Sequence, residues 1–436
     1  MDFPYVAQIK CRVRGFMGDD GRRFRMAQTL FIFSICFGWY LPDLLRRVSL
    51  FAALLLTKGK RRDISTDRWD SFTKFAMVTL CVFLAWVILD PMFFGDEALA
   101  ERLKGVGRPI EVALWVYGVM LYARDDFFVK RMSALSISSG IFFATVSFIQ
   151  RAYLGFAKTD EIEWVLCKYT LHAGMIILAL LPWLFYKLTE AGESRRRKQL
   201  LAAGIIEMVI VAVLTYYLTI MVSLAAQLLF IVPYMLSSRE IRHSLSLKNF
   251  SLALLVLICV FSAAMCVKDI KKEVFDQYRQ LSMINRDFSD FTTKRDEIWT
   301  EAMDLVRLKK ATGFGWVDYY DYSKIRKPHP HSSYIEAAFH TGMLGALLYF
   351  ASIASLFIAA AKKIVVDRDR SAVPFVVVST LILFAVAGSV ESFFYVRRQI
   401  MIPFWSTACL VFAPVMCEEK KTNPLQAGHI DEVSSV

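Results

Sequence analysis

A His-Pro-His segment is the part of the sequence best suited to proton transfer. His329 and His331 are separated by one proline, and Ser333 and Glu336 follow at the S-x-x-E spacing that predicts a capping box at a helix start. The first turn of a helix offers free N–H groups and partial positive charge, which favours the neutral, proton-accepting form of an imidazole. We therefore predict His331 as a general base and His329 as a binding residue beside it. The alternative is a surface histidine that caps or packs against the helix.

Arginine side chains form the second candidate group. Arg295 opens a helical pattern, Arg151 ends an earlier apolar segment, and Arg397 and Arg398 stand directly before the last one. Ionisable residues at such positions are costly and are a functional hypothesis by default. Guanidinium groups bind phosphate and diphosphate bidentately, so the set predicts a substrate-binding site for a diphosphate. Taken singly, such a basic residue is better explained by lipid headgroups or by solvation, and only the group as a whole favours a binding site.

The sequence predicts neither a metal site nor a cofactor. The two histidines have no cysteine partner and lack the H-E-x-x-H spacing, whereas a metal site needs three or four ligands. The eight cysteines are scattered, mostly inside apolar runs, without a CxxC pair. A glycine-rich nucleotide loop and a Ser-His-Asp arrangement are also missing, which disfavours a soluble nucleotide enzyme.

The elements that must position these residues are membrane helices. Hydrophobic residues make up 56% of the chain, against about 45–50% in soluble proteins, and they come in blocks long enough to span a bilayer. The pattern predicts an all-α polytopic membrane protein. We predict spans at residues 26–42, 43–57, 73–92, 108–123, 133–150, 170–187, 200–217, 219–237, 249–267, 343–361, 373–390 and 398–416.

The distribution of Lys and Arg predicts the topology. Basic clusters recur on alternate sides of the predicted spans, so both termini are expected on the cytoplasmic side; the net charge of +12 therefore reflects loop bias and not nucleic acid binding. The predicted divisions are a basic N-terminus, spans 1–9, an outer loop, spans 10–12 and a tail, at residues 1–25, 26–267, 268–342, 343–417 and 418–436.

The outer loop, residues 268–342, is predicted to be helical and to carry the active site. Residues 295–310 have Ile298, Ala302, Leu305 and Val306 at helical spacing. The glycines of residues 313–315 are expected to end this helix.

These residues resemble the O-antigen ligase family of lipopolysaccharide assembly. Residues 295–299 with 313–315 resemble the family's arginine, aromatic and Gly-x-Gly pattern at the start of its large periplasmic loop. Residues 329–336, followed by Gly342 and Gly345, resemble its H-x-H-[NS] signature, and residues 395–398 are similar to a basic pair near the end of ligases. The twelve-span layout agrees as well.

The resemblance implies transfer of a glycan from undecaprenyl diphosphate to the lipid A-core oligosaccharide on the periplasmic face of a bacterial inner membrane, without a metal or other cofactor. The implied partners are this donor, the lipid A-core acceptor and membrane lipids. His331 would activate the acceptor hydroxyl and Arg295 would bind the diphosphate. Ligases usually carry an arginine between the seventh and eighth spans, but residues 218–223 contain none. Either Arg151 or Arg398 replaces it, or the donor or the reaction differs from that of the family.

Other functions use the same features. An O-antigen or polysaccharide polymerase and a protein O-oligosaccharyltransferase share the lipid-diphosphate donor and differ in the acceptor. A polysaccharide transporter or flippase is less favoured, because internal repeats and interrupted spans are typical of transporters and the sequence shows neither.

Overall fold

A computed structural model describes residues 20–37, 43–56, 69–94, 99–123, 126–154, 170–190, 193–237, 295–367, 371–394 and 398–413, with a few isolated residues between 268 and 279. Within these ranges the regular structure is helical and contains no strand. The predicted all-α class is therefore confirmed.

The helices follow the predicted apolar segments along the chain. They are α1 (Asp20–Phe37), α2 (Asp43–Leu56), α3 (Ser71–Phe94), α4 (Leu99–Tyr122), α5 (Asp126–Leu154), α6 (Thr170–Thr189), α7 (Arg195–Val213), α8 (Leu218–Ser237), α9 (Arg295–Leu308), α10 (Tyr319–Tyr322), α11 (Ser333–Val365), α12 (Ala372–Val390) and α13 (Arg398–Ala408), which continues as a 3₁₀ turn, Cys409–Phe412.

Helices that can cross a bilayer make this a multi-pass membrane protein. In the described ranges, six are long and apolar enough: Ser71–Phe94, Phe127–Leu154, Leu171–Thr189, Leu218–Ser237, Ser333–Val365 and Ala372–Val390. The other predicted spans in these ranges coincide with helices that are shorter or carry more charge. The predicted ninth span, residues 249–267, lies outside the described residues, so the count of twelve stays a prediction.

Helices α3 and α11 pack side by side in opposite directions. Asp70, just before α3, pairs with Lys362 near the end of α11. Toward the other end, the indole Nε1 of Trp86 donates a 3.1 Å hydrogen bond to the carbonyl of Thr341. The start of α11 therefore lies beside the end of α3, and the segment that carries the histidines leads into α11 at that side of the bundle.

Helix α11 begins ten residues before the predicted span and is interrupted near its start. Thr341 and Gly342 have non-helical backbone angles, and the φ of Gly342 is +68°. A Cβ on Gly342 would lie 2.2 Å from the carbonyl oxygen of Ala311, and one on Gly313, also at positive φ, would lie 2.5 Å from the amide nitrogen of Gly342. Only glycine permits this close crossing of two backbone segments.

The predicted amphipathic helix is observed as α9. It ends at Leu308, two residues earlier than predicted, and a turn leads from it to Gly313 and Gly315, which have positive φ. Ile298, Ala302 and Val306 are buried on one face. They pack in a small core with Phe314 and Phe339, whose rings stack at 4.9 Å. This core attaches α9 and the segment that follows it to the start of α11.

Candidate functional site

Three segments that are distant in sequence meet at the start of α11. Arg295 begins α9, His331 precedes α11, and Glu391 follows α12. The guanidinium Nη2 of Arg295 lies 2.8 Å from the carboxylate Oε1 of Glu391, and the Nδ1 of His331 lies 3.7 Å from its Oε2. The side chain of Glu391 is only 3% exposed, compared with 22% for Arg295 and 24% for His331. The structure therefore brings two of the predicted site residues together around a buried carboxylate.

The backbone at His331 is in an unusual conformation. Its φ is +52°, in the left-handed region, which costs a non-glycine residue on the order of 1–3 kcal/mol and persists where surrounding contacts impose it. The carbonyl of His331 accepts a 3.4 Å hydrogen bond from the indole of Trp299. The ring of His329 approaches the His331 ring edge-on at 4.2 Å. Within the described ranges, Nδ1 of His331 is buried and has no hydrogen-bond partner at ordinary distance.

The predicted capping box is wrong by one residue. Ser332, and not Ser333, is the N-cap of α11, and its hydroxyl accepts a 3.5 Å hydrogen bond from the amide of Ile335. Ser332 and Ser333 are adjacent at the helix start, and the S-x-x-E pattern selects Ser333, which is already the first residue of the helix. The side chains of Ser333 and Glu336 instead form hydrogen bonds with another part of the chain.

That other part is the segment after α12. The hydroxyl of Ser333 donates to the carbonyl of Glu391 at 2.8 Å and accepts from the amide of Phe393 at 2.9 Å. The carboxylate of Glu336, which is fully buried, accepts from the amide of Phe394 at 2.8 Å. These bonds fix the Glu391 backbone against the first turn of α11.

A second carboxylate, Glu301, organises the segment between α9 and the histidines. It accepts hydrogen bonds from the hydroxyls of Ser323 at 2.7 Å and Tyr319 at 3.3 Å, and from the amide of Ile325 at 3.3 Å. Burial, together with the charge of Glu301, raises the pKa of Tyr319, so this phenol stays protonated and remains a donor. The role of Glu301 is structural.

Arg151 belongs to another part of the fold. It lies in the last turn of α5 and is 1% exposed. Its Nη2 donates to the carbonyl of Leu214 at 3.4 Å, and its guanidinium lies 5.9 Å from the centre of the Tyr216 ring. Tyr216 has a φ of +55° in the turn between α7 and α8. The turn between α7 and α8 has no arginine of its own, and Arg151 from α5 contacts it instead.

The remaining predicted site residues are only partly located. His329 is buried beside His331. Arg398 is the first residue of α13, but its side chain lies outside the described part of the structure. Arg397 lies outside the described residues altogether.

A narrow apolar cleft of about 30 Å³ lies near the site. Trp316 and Phe394, whose rings stack at 5.9 Å, form part of its wall. Arg108 and Glu111 are its charged lining residues, and the rest of the lining is apolar, from α3, α4 and α13. Because most of its lining is apolar, the cleft is suited to a hydrocarbon group.

Sequence patterns do not single out Glu391 as a site residue, although its position is unusual. It is an acidic residue directly after a long apolar run, at the same predicted side of the membrane as the arginines. An ionisable residue at such a position has a partner, and Arg295 is that partner. In the described ranges, no three His, Cys, Asp or Glu side chains are gathered so that they could bind a metal ion.

Comparison with known proteins agrees with the resemblance found in the sequence. Residues 203–350, about a third of the chain, match the family model described as O-antigen ligase. The match runs from within α7 to within α11, so it includes Arg295, His329 and His331 and leaves out Arg151 and Glu391. No curated protein matches the chain. The match supports the resemblance to the O-antigen ligase family over this part of the chain.

Proposed function

We propose that this member of the O-antigen ligase family transfers a glycan from undecaprenyl diphosphate to the lipid A-core oligosaccharide, on the periplasmic face of a bacterial inner membrane. The observation that carries the proposal is the approach of Arg295 and His331 to a common buried carboxylate. A cation for the leaving diphosphate and a base for the acceptor hydroxyl are the two groups that such a transfer needs.

His331 is the proposed general base. Its neutral imidazole takes the proton of the acceptor hydroxyl as the hydroxyl oxygen attacks the anomeric carbon of the donor sugar. The bond between that carbon and the diphosphate oxygen breaks, and the diphosphate leaves with the bonding electron pair. A positioned base of this kind contributes roughly 10²–10⁴-fold in rate.

Arg295 is the proposed diphosphate-binding residue. Its hydrogen bond to Glu391 uses one of the five N–H donors of a guanidinium. The ion pair orients the planar group beside the imidazole, and the remaining donors can bind phosphate oxygens. Fixed positive charge at this position compensates the charge that develops on the leaving group.

Arg151 is proposed to supply further positive charge for the donor. Its position at the α7–α8 turn supports a role in place of the arginine that the sequence lacks there. His329, Arg397 and Arg398 are proposed as additional substrate-binding residues on the basis of the sequence. The apolar cleft beside Trp316 is the proposed location for the first part of the donor's hydrocarbon chain.

The acceptor separates the proposed ligase from a polymerase or a protein O-oligosaccharyltransferase. A strain lacking a ligase has bare lipid A-core and accumulates lipid-linked glycan. A strain lacking a polymerase has core that carries a single repeat unit. Loss of glycan from a protein with normal lipopolysaccharide would indicate the oligosaccharyltransferase.

The direct test uses purified protein in detergent with lipid-linked glycan and lipid A-core. We expect transfer by the wild type, which would also exclude vectorial transport as the essential step. His331→Ala should reduce the rate by about 10²-fold or more while thermal unfolding and donor binding stay close to wild type. Transfer by His331→Ala at the wild-type rate would remove the proposed base.

A further inference from the structure

We propose that Glu391 is a positioning residue of this site: its carboxylate selects the His331 tautomer that carries its proton on Nδ1, and it orients the Arg295 guanidinium. Nε2 of His331 is then the nitrogen that faces the acceptor hydroxyl. This inference rests on the proposed function, because it assigns His331 the role of base.

The burial of the Glu391 side chain requires partners for its charge. A buried carboxylate without compensation is strongly unfavourable. Its Oε1 accepts from Arg295 at 2.8 Å, and its Oε2 faces Nδ1 of His331 at 3.7 Å. The second distance is slightly longer than a hydrogen bond, and catalytic hydrogen bonds in unliganded structures are often long and shorten when the substrate binds.

The tautomer follows from the acceptor nature of the carboxylate. In neutral imidazole one ring nitrogen donates and the other accepts. An ionised carboxylate only accepts, so the nitrogen that faces Glu391 must carry the proton. Nδ1 of His331 is that nitrogen, and Nε2 keeps the lone pair. A buried carboxylate that orients a catalytic imidazole in this way controls both the tautomer and the direction of proton transfer.

The position of Glu391 is fixed independently of its side chain. Its backbone ends α12 in an extended conformation, and its carbonyl accepts the hydroxyl of Ser333. Ser333 is the first residue of α11 and follows His331 by two residues. Its hydrogen bond to the Glu391 carbonyl therefore holds the carboxylate residue close to the imidazole residue.

Glu391 lies outside residues 203–350, the part of the chain that matches the family model. The family match therefore assigns it no role. The ionisable groups described in contact with this cluster include Glu391, Arg295 and the ring of His329. Of the first two, the guanidinium only donates, so the carboxylate of Glu391 is the group that can accept a hydrogen bond from Nδ1.

The test compares Glu391→Gln, Glu391→Asp and Glu301→Gln in the purified full-length protein. Glu391→Gln keeps the size of the side chain and removes its charge. We expect it to lower kcat by about 10²-fold or more, with KM for the donor changed by less than about 3-fold. Glu391→Asp keeps the charge, so its kcat should be about 10-fold higher than that of Glu391→Gln. Glu301→Gln neutralises a structural carboxylate of the same segment and should leave kcat near wild type.

A spectroscopic readout separates positioning from general destabilisation. In protein labelled with ¹⁵N-histidine, the His331 signals are assigned by their loss in His331→Ala. We expect wild type and Glu301→Gln to show a protonated Nδ1 and an unprotonated Nε2, and Glu391→Gln to show the other tautomer or a mixture.

Two results would overturn the inference. One is an unchanged His331 tautomer in Glu391→Gln, whether or not activity falls. The other is a wild-type kcat in that variant. Because the tautomer is measured without substrate, this failure is distinct from failure of the proposed function, which would show as wild-type transfer by His331→Ala or no transfer by the wild type.

Discussion

The hydroxyl of Ser333 donates a 2.8 Å hydrogen bond to the main-chain carbonyl of Glu391, a residue 58 positions later in the chain. The same oxygen accepts from the amide of Phe393. These two bonds join the start of α11 to the end of α12. The hydrogen bonds of Ser333 therefore hold Glu391 close to His331, the predicted base.

Replacing Ser333 by Ala should weaken both stability and catalysis. The change leaves a buried carbonyl and a buried amide without this partner, which costs about 1–3 kcal/mol in the free energy of unfolding. We also expect kcat to fall, because Glu391 loses its fixed position relative to His331. Ser332→Ala is the matched control: it removes the N-cap at a cost of about 1 kcal/mol but none of the bonds to the segment after α12. Thermal unfolding and transfer rates that were equal in the two variants would contradict this account.

Arg295→Lys should lose activity while the fold is kept. An ammonium can still pair with Glu391 but cannot present a planar pair of donors to a diphosphate, so we expect a loss of about 10²-fold in transfer. Arg307→Lys is the control, since Arg307 lies on the same helix in an exposed pair with Asp304. Transfer rates of the two purified variants at saturating acceptor make the comparison. A wild-type rate for Arg295→Lys would show that the planar pair of guanidinium donors is not needed to bind the diphosphate.

Arg151→Lys should weaken donor binding more than it weakens the fold. The lysine keeps the positive charge at the α7–α8 turn but loses the planar contact with the Tyr216 ring and the geometry of the bond to Leu214. We expect KM for the lipid-linked donor to rise with a smaller change in kcat. Arg196→Lys, at the exposed opposite end of α7, should have no effect on either. If Arg151→Lys left the donor KM unchanged but lowered the unfolding temperature, Arg151 would be structural.

Gly342→Ala should destabilise the kink in α11. A Cβ there would lie 2.2 Å from the carbonyl oxygen of Ala311, at a backbone φ of +68°. The strain of the backbone angle alone costs on the order of 1–3 kcal/mol, and the overlap adds to it. Gly107→Ala is the control, because a Cβ at that helical position meets no atom within 4 Å, and a gain of about 0.5–1 kcal/mol is expected from reduced chain entropy. Thermal unfolding that ranked the two variants in the reverse order would contradict the described crossing.

The ion pair at the opposite end of the bundle should give a pH-dependent stability. Partial burial raises the pKa of Asp70, but the hydrogen bonds from Lys362 and from the amide of Thr73 outweigh it and lower this pKa to about 2. A carboxyl with a lowered folded-state pKa stabilises the fold above its unfolded pKa of about 3.9 and loses that contribution as the pH falls toward 2. Asp70→Asn should therefore be less stable than wild type at pH 7, and the difference should shrink between about pH 4 and 2. The exposed Asp304→Asn is the control for unfolding measured over the same pH series, and a constant wild-type to Asp70→Asn difference would refute the pairing.

Local patterns in the sequence were sufficient to predict most of the helices. They also pointed to Arg295 and His331, two of the residues at the candidate site. Hydropathy blocks predicted the helices, and the spacing of Ile298, Ala302 and Val306 predicted α9 with its buried face. The glycines of residues 313–315 predicted its end. Each of these features depends on residues within one or two helical turns of each other, so periodicity and backbone preference are enough to find them.

Contacts between distant segments were not predictable in the same way. The salt bridge between Arg295 and Glu391 joins residues 96 positions apart. The capping motif failed for a related reason: Ser333 and Glu336 fit the local pattern but bond to the chain after α12. Likewise, the sequence identifies Arg151 only as a charged residue at the end of a span. Its approach to the α7–α8 turn depends on how α5 and α7 pack.

By itself, the sequence determined that the chain is an all-helical membrane protein that resembles the O-antigen ligase family, and which imidazole and which guanidinium to consider. Apolar periodicity and a short motif carry that information because both are local properties of the chain. Only the tertiary structure decided that a carboxylate lies between them, which ring nitrogen it faces, and where the buried arginine of α5 is directed. Those relationships are set by helix packing, which places residues from separate segments within a few ångströms and is not encoded in any one segment.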